Sequence, residues 1–386
     1  MSILGKLKNG TDPQLTEIRH QLHRLAEPSG EEVRTHAFIL EQLRAFHPSQ
    51  IHTFPETQSI VAVYNGCESG ETLLFRGDFD AVRVEETIDV PYASEMEGVA
   101  HKCGHDGHAT ILLGLAHSLH QRPPQRGRVL LFFQAAEETG QGAGQMLSTH
   151  CLDSYQPDRV YALHNIPGEK LGTVLGKPGS FTCSVVSTDI VLQGHSAHAA
   201  EPLKALSPYP AARAIADKLL ALNHYDMHSD NYRLLTLVEF RVGEQAYGVA
   251  AGNGVLRFTL RAKDDAWLQQ TKKEVLQIVR EEVKKVPGLA STQNWKEYFA
   301  ASNNHPEAMS EVREAALRSS LEYKELELPF SWGEDFGLLT QHYPGALFGL
   351  GSGECQPSLH NPYFDFPDEL LPIGVRLFRE IIDGQK

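Results

Sequence analysis

The sequence predicts an α/β fold: a discontinuous α/β core into which a smaller α+β unit of ferredoxin-like type is inserted. Three observations lead there. Helix-like and strand-like apolar periods alternate through the first third of the chain. From about residue 178 the texture becomes strand, helix, two strands and helix. After residue 298 the α/β alternation returns. A chain of 386 residues, at roughly 100 to 200 residues per domain, has room for two cores. The expected division is 1–177 plus 292–386 for the discontinuous core and 178–291 for the insert.

Residues 13–25 and 31–46 carry apolar side chains at helical spacing, while "SIVAVY" and "TLLFRGD" read as short buried strands. In "HATILLGLAHSLHQ", Ile111, Leu112, Leu115 and Leu119 share a helical stripe, and Asp106 or Gly107 falls where a helix is commonly capped. Cys103 and the first histidine would sit just before that helix. "RVLLFFQAAEETG" is a run of strand formers that loses its apolar character at Ala135, which puts Glu137 and Glu138 at its C-terminal end. "RVYALHN" likewise runs out near His164. Open α/β sheets bind ligands at that edge.

In the insert, strands are expected at 184–193, 233–243 and 254–263, helices at 208–222 and 264–286, and a possible last strand near 291–297. Leu268, Val275, Val279, Val283 and Val286 form one stripe of the long helix, with its charges on a solvated face. Beyond it, "ALFGLGSG" reads as a buried strand and "LHNPYFDFP" as the loop that follows.

Composition excludes several function classes. The formal net charge is -14 and the basic residues form no run of about five or more, so a nucleic-acid binder is not expected. Nothing approaches the roughly 18 apolar residues of a membrane span, and "MSILGKLKNGTDPQL" lacks the apolar core of a signal peptide. The five scattered cysteines argue against a disulfide framework and for a reducing compartment, so a cytoplasmic protein is expected.

The chemistry concentrates in "HKCGHDGHATILLG". Zinc and its borderline relatives take Cys sulfur, His nitrogen and carboxylate oxygen from strand and helix ends, the places that Cys103, His105, Glu138, His164 and His360 occupy. Any one of them alone is as easily a surface or hydrogen-bonded residue. Adjacent carboxylates at Glu137 and Glu138 repel, so they call for a compensating cation unless they lie in a solvated turn. Neighbouring side chains on a regular strand face opposite ways. Both glutamates can therefore approach one site only where the strand has ended.

The segments "FRGDFDAV", "DVPYAS", "HKCGHDGHAT", "FFQAAEET", "ALHNIPG", "GHSAHAAEP", "GEDFG" and "LHNPYFDFP", in this order, resemble the M20 family of dinuclear metallohydrolases. The likeness is greatest to its amidohydrolase branch of aminoacylase, hippuricase and indoleacetyl-amino-acid hydrolase type. That resemblance implies two divalent metal ions, zinc first and Mn, Co or Ni as alternatives, held by Cys103, His105, Glu138, His164 and His360. It implies Glu137 as general base and acid, Asp78 and His198 as further catalytic residues, and His198 as a donor to the oxyanion. It implies an N-acyl amino acid substrate, a lid formed by the insert and a homodimer through that lid.

Arg261 matches a lid arginine suited to a substrate carboxylate, although a strand-edge surface arginine is an equal reading. His101, Asp106 and His108 either orient the ligands or serve capping and core roles. Arg76 stands where related peptidases have a metal-ligating histidine, which disfavours a di- or aminopeptidase. Gly248 stands where the family typically has Asn, which raises the alternative of a catalytically weak relative.

Overall fold

The computed structural model describes residues 13–385. The N-terminal segment in which no signal peptide is expected lies largely outside the described residues. The continuous apolar runs pair in parallel at the centre of an eight-stranded sheet, as strands buried on both faces do. The order is Gln50–Phe54, Ser59–Asn65, Arg126–Gln134, Glu68–Asp78, Arg159–Pro167, Gly345–Gly353, Val174–Gly176 and Tyr323–Glu325. The four strands from Arg126–Gln134 to Gly345–Gly353 are mutually parallel, with Asp78 in register with Gln134 and Leu163 with Phe348. Their C-terminal ends thus share one edge.

The helix His105–Gln121 packs on this sheet and is buried along nearly its whole length. It starts earlier than Asp106 or Gly107. Its cap is Gly104 at φ +96, a conformation open to glycine, and a Cβ there would come 2.5 Å from Asn165 Oδ1. Asp106 lies inside the first turn and spends one carboxylate oxygen on buried cations. Leu22, Phe75, Ile111, Leu115, Phe133 and Phe378 belong to the core that joins this sheet to its helices.

The second unit spans Thr182–Ala301 and Leu328–Gly333. Its four strands lie in the order Arg233–Val242, Asn253–Ala262, Ser184–Gln193, Ala290–Phe299, all antiparallel. The helices Tyr209–Leu220 and Asp265–Lys284 complete the ferredoxin-like α+β arrangement over a separate core that includes Ile190, Leu219, Phe258 and Val275. The boundary expected at residue 291 moves to 301, because Ala290–Phe299 pairs with Ser184–Gln193. The solvated face expected of the long helix has one exception: Glu282 is buried and pairs with Lys218 at 2.6 Å and Lys285 at 2.7 Å. Among the described residues, no helix is long and apolar enough to cross a membrane.

Candidate active site

The site lies where the parallel strands of the core stop. Arg126–Gln134 ends, Ala136 turns the chain at φ +53, and Glu137 and Glu138 follow in the turn. Freed from strand alternation, both glutamates approach one histidine: His105 Nε2 is 4.0 Å from Glu137 Oε2 and 3.8 Å from Glu138 Oε1. Asp78 closes the adjacent strand, and its Oδ2 is 3.7 Å from the same nitrogen. Cys103 Sγ lies 3.7 Å from His164 Nε2, and His360 Nε2 lies 3.2 Å from Glu138 Oε1.

The five expected ligand residues thus meet in overlapping groups: Cys103, His105 and His164; Cys103, Glu138 and His360; His105, Glu137 and Glu138. Within each group the donor atoms lie within 4.8 Å of one another.

Three features fit this donor set to divalent cations. First, backbone carbonyls orient the rings. His105 Nδ1 faces the Asp80 carbonyl at 3.0 Å, and His164 Nδ1 faces the Asn165 carbonyl at 2.9 Å, so each Nδ1 donates and each Nε2 is turned to the centre. Second, His105 Nε2 is buried and has no hydrogen-bond partner among the described residues, an expensive arrangement for a polar atom unless it has a ligand. Third, negative charge is crowded there. Burial, then Glu334, Glu138 and Asp335, push the Glu137 carboxyl well above the usual carboxylate range. Burial would lower His105, but Asp78, Asp80 and Glu138 outweigh it and hold the imidazole at about 10. A field that retains a proton this firmly also attracts a cation to the same atoms. His164, by contrast, is held well below its ordinary value by burial and by His108, as suits a neutral ligand.

Asp78 does not stand alone. Its Oδ1 accepts from His108 Nδ1 at 2.6 Å, and its Oδ2 pairs with Arg76. Arg76 is fully buried and also holds Glu334 at 2.8 Å and Asp335 at 3.0 Å. The Asp335 backbone N–H donates to Glu137 Oε1 at 3.3 Å. Asp80, Glu334 and Asp335 are site residues that sequence reasoning did not assign. Asp80 lay two positions beyond Asp78, and the other two lay within "GEDFG", which carried no role of its own.

His198 and Arg261 belong to the inserted unit. His198 lies on the short strand Ala197–His198, exposed, with its Nδ1 accepting from Ala200 N–H at 3.0 Å. The neutral ring therefore carries its proton on Nε2 and offers a donor there. Arg261 is on an interior strand, between the partners Leu234 and Val185, and donates to the Ser331 carbonyl at 3.0 Å. The strand-edge reading is thereby overturned.

Residues 74–384 match the model of peptidase family M20/M25/M40. The chain belongs to this family. It is 30% identical over 377 residues to an N-acetyldiaminopimelate deacetylase of Exiguobacterium sibiricum, covering 95% of this chain and 99% of that one. It is 30% identical over 361 residues to an N-acetyl-L-cysteine deacetylase of Bacillus subtilis, covering 93% and 85%. Among solved structures, the YXEP protein of Bacillus subtilis, described as a dinuclear metal-binding peptidase of the M20 family, superposes with a TM-score of 0.80 at 25% identity, covering 96% of each chain.

Proposed function

We propose that this M20 chain is a metal-dependent amidohydrolase that cleaves the amide of an N-acyl amino acid or a similarly small conjugate. The observation that carries the reading is the centre itself. A buried, unpartnered His105 Nε2 lies among Cys103, Glu138, His164 and His360, and an extra carboxylate, Glu137, stands beside it with its backbone partner at Asp335. The curated relatives named for deacetylation of N-acetyl amino acids support the substrate class.

Two divalent ions held by Cys103, His105, Glu138, His164 and His360 would polarise the scissile carbonyl and acidify water. Softness of the Cys103 sulfur favours zinc, and the His and Glu donors also suit Mn, Co or Ni. Glu137 takes the proton of the attacking water at its carboxylate and passes it to the leaving nitrogen. Asp78 fixes His108 and Arg76, and so keeps the floor of the centre rigid. His198 offers Nε2–H to the developing oxyanion, and Arg261 offers a guanidinium to the substrate carboxylate.

The reading extends to a homodimer formed through the inserted unit, supported by exposed Val238 and Phe240 on the edge strand Arg233–Val242 and by exposed Tyr247 and Val249. Free cysteines support a reducing, cytoplasmic setting. A di- or aminopeptidase is disfavoured, because Arg76 stands where that branch is expected to have a metal-ligating histidine, and its guanidinium, held by three carboxylates, offers no lone pair to a metal.

The test is amine release from N-acetyl, N-benzoyl and longer N-acyl amino acids and from dipeptides, with metal-reconstituted wild type and Glu137→Gln. Cleavage of acyl amino acids by wild type alone is expected. Preferential cleavage of dipeptides, or equal turnover by Glu137→Gln, would overturn the assignment.

A further inference from the structure

The segment 360–368 presents His360 to the centre and runs past the first turn of the helix that begins at His105. Phe366 packs on Gly107 of that helix, where a Cβ would come 2.4 Å from the ring. This packing places the segment but does not orient the His360 peptide. His360 has φ +63, a backbone state that a residue with a Cβ keeps only when its surroundings enforce it. Its side chain is 51% exposed, so contacts of the ring do not supply that enforcement.

Lys102 supplies it from both of its ends. Its backbone carbonyl accepts the His360 N–H at 2.7 Å, and its Nζ donates to the Phe364 carbonyl at 2.9 Å. The ammonium is fully buried, which lysine tolerates only when paired, and Glu86 Oε1 lies 2.5 Å away. Glu86 is itself fixed, by the Ser94 N–H at 2.8 Å and by His23 Nε2 at 2.9 Å. From His23 the contacts continue to Asp106 at 2.8 Å and from Asp106 to Arg19 at 3.1 Å. Arg19 then binds Asp365 at 2.9 Å and Asp368 at 2.5 Å, on the segment where the ring of charges began.

Building on the metal-centre reading above, we infer that Lys102 is a positioning residue. It sets His360 against Cys103 and Glu138 and so governs the ion those three residues share, while the ion on the His105 and His164 side is left to other supports. A role confined to folding would weaken both ions alike or neither.

The experiment titrates metal-depleted wild type, His360→Ala, Lys102→Met and Lys102→Met/Glu86→Gln with Co²⁺, following cobalt visible absorption and thiolate charge transfer, with circular dichroism as the check of folding. The double variant removes the carboxylate that the single variant leaves short of a partner, and it decides the case if the single variant does not fold. Wild type is expected to take two ions. Lys102→Met is expected to take one at wild-type affinity and the other about 10- to 100-fold more weakly, with the spectral change of His360→Ala. Two ions at wild-type affinity and spectrum in the lysine variants, or equal weakening of both, would overturn the inference while leaving the centre intact. Failure of wild type to take cobalt would instead remove the metal-centre reading and the inference with it.

Discussion

Two clusters of buried charge lie side by side in the core, and they are built on opposite plans. Around Arg19 a chain of contacts closes at 2.5 to 3.1 Å, from Lys102 through Glu86, His23 and Asp106 to Asp365 and Asp368, with Arg19 Nη2 the atom left without a hydrogen-bond partner among the described residues. Around His105 Nε2 the carboxylates stop short of hydrogen-bond distance: 3.7 Å to Asp78, 3.8 Å to Glu138 and 4.0 Å to Glu137. The first spacing is that of hydrogen bonds, and the second is that of groups sharing a ligand between them. One cluster has the form of a scaffold and the other that of a reactive centre. The same kind of substitution should therefore act in opposite directions in the two.

The largest expected effect tests the reactive side. Glu137→Gln keeps the shape and the oxygen that accepts the Asp335 N–H, but it removes the proposed proton carrier. Turnover should fall by about 10²- to 10⁴-fold with metal content unchanged. An acid whose folded pKa is raised costs stability at every pH above its unfolded pKa, and the Glu137 carboxyl is raised, first by burial and then by Glu334 and Glu138. Metal-depleted Glu137→Gln should accordingly melt above metal-depleted wild type at pH 8. A lower melting temperature would mean that Glu137 belongs to the scaffold.

Asp106→Asn makes the same exchange of carboxylate for amide on the other side. Burial would raise Asp106, but His23, His101 and Arg19 outweigh it and hold the group far below the usual carboxylate range. Removing the charge leaves Arg19 and His23 buried with reduced compensation. Urea unfolding should show a loss of about 3–5 kcal/mol, the scale for breaking a buried pair. A loss below about 1 kcal/mol would erase the contrast between the clusters.

His23 gives the scaffold a pH signature. Burial would lower its pKa, yet hydrogen bonds to Asp106 and Glu86 raise it to about 9. A histidine raised in the folded state contributes stability that is complete below about 6.5 and is lost as pH climbs through about 9. The difference amounts to something on the order of 3 kcal/mol. Unfolding free energy should decline across that window in wild type, and His23→Gln should flatten the decline. An unchanged slope in the variant would assign the titration elsewhere.

The two clusters were unequally legible in the sequence. Cys103, His105, Glu138, His164 and His360 are metal-binding types near the ends of periodic segments, so residue type and periodicity made them candidates, and the resemblance of the ordered motifs to the M20 family implied them as a set. Arg19, His23, Glu86 and Lys102 come from a helix face and loops with no such punctuation. Asp365 and Asp368 are separated from Arg19 by more than three hundred residues of chain, and pairing over such distances leaves no local pattern. The fold class followed from periodicity, since apolar runs of strand length signal parallel strands buried on both faces. The edge of the insert followed only in part. A last strand is expected near 291–297, yet the expected boundary falls at 291, because Ala290–Phe299 is amphipathic and mostly exposed on one side and its pairing with Ser184–Gln193 is what ties it to the insert.

Glycines extend the contrast to the smallest expected effect. Gly107, in the helix His105–Gln121, has the Phe366 ring 2.4 Å from where a Cβ would be, whereas Gly248, in the inserted unit, has nothing within 4 Å. The resemblance of the motifs sets Gly248 at a position where Asn is expected, and the Gly248 carbonyl accepts the N–H of Ala199, the neighbour of His198. No steric demand explains the glycine, so Gly248→Asn should change stability by less than about 0.5 kcal/mol, as exposed substitutions do. Gly107→Ala should instead cost a few kcal/mol, as overpacking does. The informative readout for Gly248→Asn is kcat/KM across acyl chains of increasing length. A side-chain donor beside His198 that aids the oxyanion would raise kcat for every substrate, whereas one that narrows the acyl site would raise KM for the longest chains alone. A uniform gain would identify the glycine as a loss of catalytic power, and a length-dependent penalty would identify it as the feature that admits bulky acyl groups.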